Sequence, residues 1–145
     1  MKALLDASAL LLLVKHADAT KLADAAKDLA TLDLAAYEVG NAIWKQVHLQ
    51  KLITQEEARA THEALIELLS HVSLVRAEEL NQTEAMNLAI RKGIAYYDAC
   101  YLIASESLKL PLATEDRKLA AAKARREVIG WEQVLGDGRP EGGRK

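Results

Sequence analysis

Short apolar runs alternate along this chain with longer stretches in which apolar residues recur every three or four positions. Residues 2–7 read as a short buried strand, with Ala3-Leu4-Leu5 running into Asp6. The pattern then predicts a helix over 8–15, capped by Ser8, and a second over about 18–29. Ala30-Thr31-Leu32-Asp33-Leu34 carries a fainter strand pattern, and 35–50 is helical, with Leu49, Leu52 and Ile53 closing its apolar stripe. Residues 54–70 are the clearest amphipathic helix, opened by a Thr54/Glu57 capping box, with Ala58, Leu65 and Leu69 at helical spacing. His71-Val72-Ser73-Leu74-Val75 alternates as a strand does. Helices are expected over 78–92, stopping at Gly93, and over 96–108. Leu110 to Ala113 reads as a strand with Pro111 near its start, Thr114 as the cap of a helix over about 115–125, and Val128-Ile129 as a last strand.

Strands alternating with helices predict an α/β fold: one domain over 1–135, with a parallel sheet of about four to five short strands flanked by helices in three layers. Sites in such sheets form beyond the carboxyl ends of strands. Asp6 and Asp116 both fall just past such an end. Residues 136–145 hold four of the seven glycines and one of the two prolines, and are expected to be a disordered tail.

Composition narrows the function classes. A chain of 145 residues, half apolar and 28% charged, suits one soluble globular core. A net charge of −2 gives no global attraction to polyanions, so any such partner must be held by a local patch or through a metal. The lone Cys100 rules out an intrachain disulfide and fits a cytoplasmic setting. Lys2, the apolar stretch and Ala17-Asp18-Ala19 imitate a secretory leader, but Asp6, Lys15 and His16 interrupt it. The longest apolar run, Ala9 to Val14, is too short to span a bilayer.

Four acids stand in apolar surroundings: Asp6, Glu38, Asp98 and Asp116. A buried, unpaired carboxylate is costly, and several together are tolerable when a cation lies between them. Mg²⁺ and Mn²⁺ prefer carboxylate oxygen and water, and such ions activate water and neutralise charge developing on a phosphodiester. Asp98 and Asp116 are expected in the first turns of their helices, where the dipole favours the ionised form. Asn41, three residues after Glu38, shares its helix face, and Ser8 and Thr114, each two residues from an acid, can hold a carboxylate in place. Taken singly, Asp98 and Asp116 also suit ordinary capping, and Glu38 a solvated helix face. Asp6 resists that reading, because nothing in a strand-to-helix turn demands an acid after Leu4-Leu5.

Four segments together carry a resemblance: Leu5-Asp6-Ala7-Ser8; Tyr37-Glu38-Val39-Gly40-Asn41; Tyr97-Asp98-Ala99-Cys100; and Thr114-Glu115-Asp116-Arg117-Lys118-Leu119. In this order they resemble the PIN domain, especially the VapC toxins of toxin–antitoxin pairs, from residue 2 to about 130. The resemblance implies an endoribonuclease dependent on Mg²⁺ (or Mn²⁺), a homodimer, and inhibition by a partner antitoxin. It implies that Asp6, Glu38, Asp98 and Asp116 hold the metal and form the catalytic set, with Ser8, Asn41, Thr114 and Arg117 supporting them or touching the RNA substrate. The mechanistic expectation is in-line attack of a water on phosphorus. The alternative is a non-catalytic PIN-like scaffold that binds protein or RNA.

Other candidates are weaker. His16, His48, His62 and His71 lack zinc spacing, Cys100 reads as a packed thiol, and no glycine-rich phosphate loop is present. Lys118, Lys123, Arg125 and Arg126 read as a solvated helix end before an RNA grip. Tyr97, Tyr101 and Trp44 can stack a splayed base, but core or interface packing is the favoured use. The helices over 35–50 and 54–70 look like an antiparallel pair whose outer apolar residues would suit an antitoxin helix. A receiver domain or haloacid-dehalogenase-type phosphatase would need acids that this chain lacks near Asp6.

Overall fold

The computed structural model describes residues 2–123 and 127–136. The expected tail lies outside these except for Gly136, as do Arg125 and Arg126 of the basic cluster. The elements run β1 (Ala3–Leu5), α1 (Ala7–His16), α2 (Ala19–Ala25), β2 (Leu29–Leu32), α3 (Leu34–His48), α4 (Gln55–Leu69), β3 (Ser73–Val75), α5 (Gln82–Lys92), α6 (Tyr96–Leu108), β4 (Leu112–Ala113), α7 (Arg117–Ala121) and β5 (Val128–Ile129). They form a single α/β domain around a five-stranded parallel sheet in the order β3-β2-β1-β4-β5.

Side chains of a strand point alternately to the two faces, and here each face has its own core. Ala3, Leu5 and Leu29 face α1, α3 and α4, meeting Leu10, Leu13, Val39, Ile43 and Leu65. Leu4, Ala30, Leu32 and Leu112 face the other way, against Leu88, Tyr101, Leu102 and Leu119. The inner strands β1, β2 and β4 are buried on both faces, which is why they read as apolar runs, whereas the edge strand β3 is largely exposed and alternates. The one polar residue in β2, Thr31, is fully buried and donates its hydroxyl to the Leu5 carbonyl at 2.7 Å.

Several boundaries differ from the sequence pattern. The helix expected to reach residue 29 ends at Ala25, followed by a 3-10 turn over Ala26–Asp28. Leu29-Ala30-Thr31 pairs with Ala3-Leu4-Leu5, and sheet pairing outweighs the helical preference of the alanines. The helix expected over 78–92 begins as a 3-10 turn, Ala77–Glu79, and becomes α-helical only at Gln82, where Asn81 caps it. It ends as expected at Gly93, whose φ of 66° is left-handed. The Thr54/Glu57 capping box forms with both reciprocal hydrogen bonds.

Two caps move. Asp6, not Ser8, caps α1 by accepting the Ala9 N–H at 2.9 Å. Asp116, not Thr114, caps α7, accepting from Lys118 and Leu119 at 2.9 and 3.2 Å, so that helix starts at Arg117 rather than 115. In both cases the hydroxyl is drawn away from its own helix by the other strand's loop.

β1 lies at the centre of the sheet. The chain runs from it through β2 to β3 at one edge, then returns to β4 on its other side. The connections leaving β1 and β4 therefore part to opposite faces and open a crevice between them, the place where α/β sheets hold ligands.

Candidate active site

The crevice between β1 and β4 is closed at its base by a hydrogen-bond lattice around Asp6. This residue is only 4% exposed. Its Oδ1 accepts from the Ser8 hydroxyl at 2.7 Å and from the Ala9 N–H, and its Oδ2 accepts from the Thr114 hydroxyl. Each hydroxyl is itself anchored by the β4 loop. Ser8 accepts the Glu115 N–H at 2.9 Å, and Thr114 accepts the Asp116 N–H at 3.0 Å. A chain separation of more than a hundred residues is thus bridged through two hydroxyls that cannot turn away without leaving Asp6 short of donors.

Glu38 projects from α3 and is held by the Tyr101 hydroxyl of α6, which donates to its Oε1 at 2.7 Å. Tyr101 is 2% exposed, so its phenol belongs to the core and to Glu38, not to a stacked base. Asp98, three residues earlier in the first turn of α6, is half-buried and takes no hydrogen bond from the described residues. Asp116 uses one oxygen to cap α7 and is exposed.

Electrostatics tie the four together. Burial raises the Asp6 carboxyl above its ordinary value, against the hydrogen bonds from Thr114, Ala9 and Ser8, and the Asp116 charge raises it further. Burial also raises Glu38; the Tyr101 bond opposes this, and the charges of Asp98 and Asp6 add to it. Asp98 is raised by burial, then by Asp116 and Asp6. Among the described residues no lysine or arginine pairs with any of the four. The His71–Glu67 and Lys123–Glu127 ion pairs, each at 3.0 Å, lie elsewhere.

This donor set suits a hard divalent cation: several carboxylate oxygens, net negative charge and, among the described residues, no paired lysine or arginine. Among the described residues, no three such side chains are drawn close enough to grip an ion as they stand. Like charges repel, and Asp6, Glu38 and Asp116 are each partly committed to hydrogen bonds of their own.

The remaining expected residues divide. Ser8 and Thr114 join the lattice. Asn41 lies one turn beyond Glu38 on α3, exposed and without a hydrogen bond to the described residues. Arg117 lines a surface depression with Ala120, Ala121 and Val128 and bonds to none of the acids. Lys123 is not a solvated cation, because its side chain is 5% exposed and its ammonium pairs with Glu127 at 3.0 Å. Trp44 stacks on His48 along α3, with ring centroids 5.1 Å apart. The sequence favoured a packing role for Tyr101, which its burial bears out, but the pattern did not assign its bond to Glu38. The helical spacing of Tyr97 and Tyr101, one turn apart and flanking Asp98, was the available signal.

The model of the PIN domain family matches residues 3–125. The chain belongs to the PIN-domain family. Two PIN-domain relatives from Pyrobaculum aerophilum are each 36% identical to it. "Exonuclease VapC9" aligns over 81% of this chain and 83% of its own length, and "Ribonuclease VapC3" over 83% and 93%. The crystal structure of PAE2754 from the same organism superposes with a TM-score of 0.77 at 33% identity, covering 93% of both chains. No helix among the described residues is long and apolar enough to cross a membrane.

Proposed function

We propose that this PIN-domain protein is a Mg²⁺- or Mn²⁺-dependent endoribonuclease acting as the toxin of a toxin–antitoxin pair. The observation that carries the reading is the charge coupling of four carboxylates from four separate chain segments: Asp6 feels Asp116, Glu38 feels Asp98 and Asp6, and Asp98 feels Asp116 and Asp6, with no lysine or arginine among the described residues paired to them. The names of its relatives, two ribonucleases and an exonuclease among them, agree with nuclease chemistry.

Asp6, Glu38, Asp98 and Asp116 would hold the ion. When bound, it would lower the pKa of a water and offset charge developing on the phosphodiester. The chain's own contribution is orientation. Ser8, Thr114 and the Ala9 N–H fix both oxygens of Asp6, and Tyr101 fixes Glu38, so two of the four donors are held in place before substrate arrives. Asp98, which takes no hydrogen bond from the described residues, is free to adjust. RNA substrate, a homodimer and an antitoxin partner belong to the same reading. The outward Leu49, Leu52 and Ile66 of the α3–α4 pair supply an apolar face for an antitoxin helix.

The test is cleavage of a mixed RNA pool and of a circular RNA, with Mn²⁺ and with EDTA, by the wild type, Asp98→Asn and Asp6→Asn. Asn at position 6 keeps an acceptor for Ser8 and Ala9, so the fold should survive. The expected result is metal-dependent cutting of both RNAs, lost in both variants. Cutting of linear RNA alone makes the enzyme an exonuclease. Mn²⁺-independent cutting, or full activity of Asp98→Asn, removes the carboxylate mechanism. A fold that binds RNA or protein and cuts nothing would be the scaffold.

A further inference from the structure

Beside the acids, on the same edge of the sheet, a cleft of about 240 Å³ opens beyond the carboxyl ends of β2 and β3. Its lining is mainly apolar, with Leu80, Val75, Tyr37, Tyr96 and Tyr97 in it, and includes the carboxylate of Asp33. Tyr37 and Tyr97 are 79% and 56% exposed, an unusual placement for large rings that could have packed in a core without phenylalanine. Each directly precedes one of the acids, Glu38 and Asp98. Cys100, on the cleft wall, lies near enough to Glu38 to feel its charge. Arg76 also lines the cleft, and among the described residues its guanidinium forms no ion pair.

We propose that this cleft is a nucleobase subsite: Tyr37 and Tyr97 stack one unpaired base of a single-stranded RNA, and Arg76 takes the phosphate beside it, delivering the adjoining phosphodiester to the carboxylates. The inference deepens the nuclease reading and rests on it. The chemistry favours RNA over a second protein chain for two reasons. Aromatic faces near a guanidinium that has no ion pair among the described residues match a base and its phosphate, and two of the rings stand on the residues directly before Glu38 and Asp98. Stacking is indifferent to base identity, so the subsite would demand a splayed base without choosing its sequence.

The test is an abasic scan. Short single-stranded RNAs, each lacking one base in turn, are bound to the wild type and to a Tyr37→Leu/Tyr97→Leu protein in EDTA. Affinity is read by fluorescence anisotropy, intactness by gel, and mass by light scattering. The wild type should lose about 5- to 100-fold at one position only. The double variant should bind every RNA alike at that weakened level with unchanged mass, and Tyr37→Phe/Tyr97→Phe should restore the wild-type pattern. A flat scan with the wild type overturns the subsite whether or not the RNA is cut. A variant that changes oligomeric state while keeping the wild-type scan also overturns it and makes the cleft a contact between copies. A position-specific loss in a protein that cuts no RNA would keep the subsite and discard the nuclease.

Discussion

Replacing Thr114 by Val keeps the volume of a side chain that is 5% exposed and removes the hydroxyl linking Asp6 to the β4 loop. Donation to Asp6 Oδ2 and acceptance of the Asp116 N–H both go, together with a long 3.4 Å contact to the Ser8 hydroxyl. A hydrogen bond to a charged group contributes about 1.5–3 kcal/mol. The Asp116 amide lies at an exposed residue, so water can replace its partner at little cost. Ser8 and Ala9 still serve the other oxygen of Asp6. The expected loss near neutral pH is therefore about 2 kcal/mol, a melting point lower by roughly 4–8 °C for a chain of this size. The loss should shrink in acid. Without the Thr114 donor the Asp6 carboxyl, already raised by burial, rises further, and once protonated it no longer needs a charge-assisted bond. The assay is urea unfolding in EDTA near neutral pH and near the ordinary carboxylate pKa of about 4. A variant within about 0.5 kcal/mol of wild type at neutral pH, or one whose deficit is the same in acid, would refute the lattice as drawn.

Three further outcomes are expected. The folded-state carboxyl pKa values of Asp6, Glu38 and Asp98 are raised, so the native state binds more protons than the unfolded chain from about pH 4 up to those raised values. These groups therefore stabilise the metal-free protein least at neutral pH and most in acid. Asp98→Asn in EDTA should flatten that dependence and abolish any rise in melting temperature with Mn²⁺, as scanning calorimetry would show; an unchanged Mn²⁺ response would count against Asp98 as a ligand. Tyr101→Phe removes the donor that lowers Glu38, so it should cost about 0.5–1.5 kcal/mol and shift the acid limb of the pH–cleavage profile to higher pH, whereas an unmoved profile would leave that bond a purely structural one. Gly93→Ala meets no atom within 4 Å, so only its left-handed φ of 66° is at issue, and chemical denaturation should show a loss of about 1–2 kcal/mol.

The sequence by itself determined the class of fold. Apolar runs of strand length between helical periodicities specify a parallel sheet covered on both faces. The carboxylate straight after Leu4-Leu5, expected to have no local reason, has one: Asp6 is the N-cap of α1. The α4 capping box and the Gly93 stop were legible because they are local, depending on residues within one turn of each other. What only the tertiary structure decided depends on groups distant in sequence. The end of α2 was set by pairing of Leu29-Ala30-Thr31 with β1. The caps of α1 and α7 went to Asp6 and Asp116 because Ser8 and Thr114 were claimed across the crevice. Tyr101, readable in sequence only as one more aromatic, became the group that orients Glu38. A hydroxyl can join either its own helix or a strand brought beside it, and three-dimensional neighbours alone determine which hydrogen bond wins.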